Sequence, residues 1–255
     1  MELTEVLPET VFAFFLVFVR LGAIFMLLPG FGEAFVPQRI RLGLALAVTA
    51  ALFPLVRSDL PAEPTGILGL AGLIFGEVLI GAFIGATARL ALAGLHVAGT
   101  VIAFQSSLGA AQFFDPAQNS QGAVVASFLS IFGLVLIFAS DLHLMMLRAV
   151  FDSYALFSPA EGVPLASFAE LATRFVAGSF NLGIQIAAPF IVYGLVLYIG
   201  MGLINRLMPQ MQVFFIVMPL QIMLAFVFLM ITLGAVMVWF LNYFEGAIAA
   251  FRVGA

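Results

Sequence analysis

Residues 109–122 read GAAQFFDPAQNSQG and lie between apolar stretches long enough to enter a bilayer. The segment carries Gln112, Asp115, Gln118, Asn119, Ser120 and Gln121, and its Asp115–Pro116 step disfavours helix. At membrane depth, irregular backbone is tolerated only where protein buries it or a watery cavity hydrates it. The stretch therefore points to a pore, a gate or a substrate pathway.

The composition places that segment in a membrane protein. The chain has 255 residues, 64% hydrophobic and 9% charged, where a soluble domain would carry about 25% charged residues. Six long apolar segments run over about 10–30, 42–57, 67–88, 122–140, 173–204 and 213–244. A spanning helix needs roughly 20 apolar residues, so most qualify and 42–57 is short. A further apolar stretch, 94–111, runs into the polar segment, and its polar end argues that 94–122 dips in and returns. The predicted fold class is all-α: a polytopic helical membrane protein over 1–255 in a single domain. It has a re-entrant segment at 94–122 and a C-terminal helical hairpin.

Arg39 and Arg41 follow the first span, Arg89 the third, and Arg206 lies between the last two. Those loops read as cytoplasmic by the positive-inside rule. The N-terminus, the 58–66 loop and the 141–172 segment then face outward. The acidic start MELTEVLPET lacks the basic opening of a cleavable signal peptide, so the first helix is expected to stay.

Several chemistries are excluded. The chain has no cysteine and no lysine; all 9 of its basic residues are arginines. Thiolate sites, Schiff bases and a P-loop lysine are therefore ruled out. No catalytic triad or paired carboxylates stand out, and no enzyme is predicted. Asp141 and His143 are two residues apart, which does not put both on one helical face. No metal site and no cofactor are expected.

Arg20 falls near the middle of the first span and Glu77 near the middle of the third. A lone charge at a helix centre costs about 2.5–3.5 kcal/mol on insertion scales, so each needs a partner or water. A structural ion pair, within the chain or with another subunit, is favoured over a proton relay; a coupled transporter usually shows more intramembrane acids. Gly72, Gly76, Gly81 and Gly85 in the third span suit close helix contacts. Met223, Met230 and Met237 are spaced by seven and fall near one face. They read as helix packing, or as a compliant seal around a conduit. Asn205, Arg206, Pro209 and Gln210 make the polar tip between the last two spans, and Pro209 stops the preceding helix.

An ordered series of residues adds a likeness. It runs through Arg20, Pro29, Phe31–Gly32, Val36–Pro37 and Arg41, then Ala93–Gly94, Gly109, Asp115–Pro116 and His143. It closes with Ala188–Pro189, Asn205–Arg206, Pro209–Gln210, Val213–Phe214 and Pro219. In this order the chain resembles the FliR family of flagellar type III export-gate subunits over nearly its whole length. Gln212 and Met218 depart mildly from that pattern.

The resemblance implies a core subunit built with FliP and FliQ into a raised pore complex, in the bacterial inner membrane at the flagellar basal body. Residues 173–251 would pack like FliQ, with FlhB and FlhA nearby. Unfolded flagellar proteins would be the export substrates. Residues 109–122 would plug the channel, with Phe113 and Phe114 in its lumen. Gly109, Gln112, Asp115, Pro116, Asn119, Ser120 and Gly122 would complete the plug. The tip at Asn205, Arg206, Pro209 and Gln210 would contact a partner. The virulence injectisome has an equivalent subunit, and a secondary solute transporter remains a further reading, since broken helices at the midplane suit one.

Overall fold

The computed structural model of the chain describes residues 3–64, 66–110, 124–159, 162–210 and 212–252. Within them the helices are α1 (Leu3–Leu27), α2 (Gln38–Val56), α3 (Ile67–Gln105), α4 (Val124–Ala139), α5 (Leu142–Leu156), α6 (Leu165–Leu207) and α7 (Val213–Ala249). Apolar runs form helices because only a helix pairs every peptide group within its own segment when water is absent. Five of these helices are long and apolar enough to cross a membrane, and α4 with α5 makes a further candidate bent by 75°.

One feature differs from the expectation from sequence: α3 is an unbroken helix of 39 residues. Residues 94–105, expected to begin a re-entrant segment, are its last three turns. Arg89 is the lone charge between Glu77 and the helix end and no proline intervenes, so nothing interrupts the ladder before Gln105. The 141–172 segment is largely helical. Asp141 takes a left-handed conformation, φ 59°, at the corner between α4 and α5. Arg148 and Asp152 are four residues apart and share one face of α5, while Met146, Ala149, Val150, Ser153 and Tyr154 are buried on the other.

The chain divides into two compact units: Met1–Leu90 with Phe138–Val176 and Phe244–Ala255, and Ala91–Ile137 with Ala177–Tyr243. In the first, α1 packs on α2 through an edge-on pair of Phe14 and Phe53, 5.6 Å between ring centres. The loop after α1 is held by Arg41, which donates to the carbonyls of Glu33 at 2.7 Å and Val36 at 2.9 Å. Phe83 stacks on Phe168 at 4.3 Å, and Phe157 meets Phe168 edge-on. At Gly81, α3 crosses α1 so closely that a Cβ would collide with the Arg20 carbonyl oxygen. At Gly85 a Cβ would stand 2.8 Å from that of Leu27.

Small residues also set the packing of the second unit. A Cβ on Gly94 would stand 2.8 Å from the Ser179 carbonyl oxygen, and one on Gly183 2.9 Å from that of Gly94. A Cβ on Gly99 would fall on the backbone of Ala126, joining α3 to α4. The arms α6 and α7 run antiparallel. Phe190 meets Phe228 edge-on at 4.9 Å, and further from the tip a Cβ on Gly178 would stand 2.6 Å from the Tyr243 hydroxyl.

Candidate functional site

Of the residues singled out for the plug, Gly109 lies in the short 3-10 turn Leu108–Ala110 that succeeds α3. Gln112, Phe113, Phe114, Asp115, Pro116, Asn119, Ser120 and Gly122 lie outside the described residues.

Arg20 and Glu77 stand together, both buried. Arg20 Nε donates to Glu77 Oε2 at 2.6 Å and Nη2 to Oε1 at 2.8 Å, a two-pronged pairing. Nη2 also donates to the Phe157 carbonyl at 2.9 Å. Nη1 donates to the Ser153 carbonyl at 3.1 Å and, more weakly, to Ser153 Oγ at 3.4 Å. All five guanidinium N–H groups are thereby occupied. The Tyr154 ring lies 4.2 Å from the guanidinium carbon, adding a cation–π contact. Three helices and the turn after α5 thus converge on one side chain. A planar fork with no neutral state suits such a buried junction, where a lysine would reach fewer acceptors.

The hairpin tip is polar and exposed: Asn205 and Arg206 lie in the last turn of α6, and Pro209 and Gln210 lie in the turn before α7. Met223, Met230 and Met237 do not share one environment. Met223 is 58% and Met230 74% exposed, whereas Met237 is 3% exposed. An ideal helix drifts by about 20° per heptad, and different neighbours separate the three further. His143 stacks on Phe138 at 5.1 Å.

A polar cluster that sequence reasoning missed holds the end of α3. Gln221, 1% exposed in α7, donates from Nε2 to the Gln105 carbonyl at 2.7 Å. Its Oε1 accepts from Ser107 Oγ at 2.9 Å. Tyr193 in α6 donates from its hydroxyl to the Gln221 main-chain oxygen at 2.7 Å. The Gln105 carbonyl is one of the last four of its helix and has no donor further along it. Ser107 has φ 60°, a left-handed conformation uncommon outside glycine. The one signal available in the sequence was an uncharged amide in an otherwise apolar run, two residues after Pro219. Beside this cluster, an apolar groove of about 560 Å³ is lined by Leu108, Val124, Phe128, Phe226 and Met230.

These features define the class: an all-α, polytopic membrane protein whose helices meet through small residues and a few fully paired polar groups. The chain belongs to the bacterial export proteins, family 1, whose model matches residues 11–247. It is similar to the flagellar biosynthetic protein FliR of Caulobacter vibrioides, 42% identical over 231 residues, covering 90% of this chain and 92% of that one. The FliR of Escherichia coli is 34% identical over 80% of this chain and 77% of its own. That of Bacillus subtilis is 28% identical over 94% and 93%.

Proposed function

We propose that this chain is a core subunit of the flagellar type III export gate and forms part of the channel through which unfolded flagellar proteins leave the cell. The observation that carries this reading is the family match along residues 11–247. Relatives named as flagellar biosynthetic proteins support the flagellar system over the injectisome. In this reading the chain assembles with FliP and FliQ in the inner membrane, at the base of the flagellum. FlhB lies against the tip at Asn205, Arg206, Pro209 and Gln210, with FlhA nearby. Residues 109–122 obstruct the passage, Phe113 and Phe114 by bulk.

Arg20 and Glu77 act as a scaffold in this reading. A proton carrier must exchange partners, whereas each guanidinium N–H here already has an acceptor. Export energy then comes from elsewhere in the apparatus.

Two measurements test the reading. The chain is expected to co-purify with FliP and FliQ homologues from the membrane; a stable solitary protein with saturable solute uptake in liposomes would overturn the assignment. Deleting 109–122 from an apparatus that still assembles is expected to make the membrane leak small ions. Unchanged permeability in such cells removes the obstructing role.

A further inference from the structure

We propose that Gln221 is a positioning residue that pins the end of α3 to the C-terminal hairpin and so sets where and in which direction the chain enters residues 111–123. Its functional consequence rests on reading 109–122 as the channel obstruction; the pinning itself does not.

Gln221 sits in strongly apolar surroundings. No residue between Arg206 and Glu245 is charged, and Gln221 is buried in that run. A buried amide there must find partners inside the protein. Both ends of this side chain reach out of its own helix to the same short stretch, Gln105 and Ser107. Its Nε2 satisfies a terminal carbonyl that α3 leaves without an internal donor. Its Oε1 accepts from the residue whose left-handed φ of 60° redirects the chain.

Gln221 is itself anchored. The Tyr193 hydroxyl binds its main-chain oxygen from the facing arm. The next residue, Gly194, leaves room for Gln105: a Cβ there would collide with Gln105 Oε1. The two arms of the hairpin thus grip residues 105–107 from both sides. The cluster acts at the final residue of α3 and just past it, at Gln105 and Ser107. Its effect falls on the exit of the chain.

The natural absence of cysteine makes a direct test possible. Leu108→Cys places a single thiol one residue past the pinned stretch, and Ser130→Cys places a control thiol in α4. Each is made in the full chain, in membranes of cells producing the complete export apparatus. Labelling by N-ethylmaleimide is timed with and without Gln221→Leu. Release of the pin is expected to speed labelling at position 108 by about five-fold or more, the shift that loss of a typical hydrogen bond produces. Labelling at position 130 is expected to stay unchanged.

Tyr193→Phe removes one oxygen and is expected to give a smaller rise of the same kind; it carries the test if Gln221→Leu fails to accumulate. Adding Ser107→Ala to Gln221→Leu is expected to change nothing more, because the shared bond is already gone. Equal labelling at position 108 in all these variants, or equal acceleration at 130, overturns the inference. Ion leak is read in parallel. Faster labelling with no leak from the 109–122 deletion keeps the pin and sinks the obstruction; leak from that deletion without faster labelling does the reverse.

Discussion

Replacing Arg20 by leucine while Glu77 remains is expected to destabilise the protein by about 3–5 kcal/mol, as is replacing Glu77 by leucine alone, whereas the double replacement recovers most of that loss. The cause is desolvation. Each charge is buried, so a single replacement strands its partner without water and without a counter-charge. In Glu77→Leu the guanidinium keeps its bonds to Ser153 and Phe157 but cannot neutralise itself. In Arg20→Leu the carboxylate loses both donors. The double variant has no charge left to strand, and the volume is largely kept. Reversible unfolding of the four proteins in detergent, or their abundance in the membrane, measures the cycle. Simple addition of the two single effects would show that the ion pair is not the unit that matters.

Gly99→Val is expected to destabilise the second unit markedly, and Gly72→Ala to be close to harmless. A Cβ at Gly99 falls on the main chain of Ala126, which cannot rotate away as a side chain could. Relief requires α3 and α4 to separate, and overpacking of this kind costs about 1–3 kcal/mol, or more where backbone must move. Valine adds two methyl groups to that collision. At Gly72 nothing lies within 4 Å, and exchanging glycine for alanine inside a helix gains about 0.8–1.0 kcal/mol of intrinsic preference. Thermal unfolding in detergent separates the cases: a marked fall in Tm for Gly99→Val, and no fall for Gly72→Ala. A Gly99→Val protein as stable as the parent would mean that α3 and α4 do not touch there.

The residues most legible in the sequence were those whose cost in lipid is high. Arg20 and Glu77 could be matched because a lone intramembrane charge demands a partner. The apolar runs announced helices for the same reason. The continuity of α3 was hidden because glycines and a polar C-terminal end look alike whether a helix breaks or carries on; Gly94 and Gly99 turned out to be contact points rather than breaks. α5 was absent from the apolar runs because Arg148 and Asp152 interrupt its hydrophobicity, although their four-residue spacing places them on one face. Gln221 was hidden because its partners lie 114 and 116 positions away, and no local pattern encodes such a pairing. The methionine series meets different neighbours along α7, which its regular spacing could not reveal.

Helices α3, α6 and α7 contain 39, 43 and 37 residues, or about 58, 64 and 55 Å at 1.5 Å per residue. A bilayer offers about 30 Å of hydrocarbon, and tilting a 64 Å rod into that slab needs an angle of roughly 60°, beyond the 0–40° that such helices adopt. The uncharged stretch from Phe175 to Asn205 alone is about 46 Å long. A newly made copy that has found no companions therefore holds greasy rods that no orientation can fully shelter. Its survival becomes a matter of dosage and timing, with surplus chains open to quality-control proteases until neighbouring polypeptides arrive to clothe them.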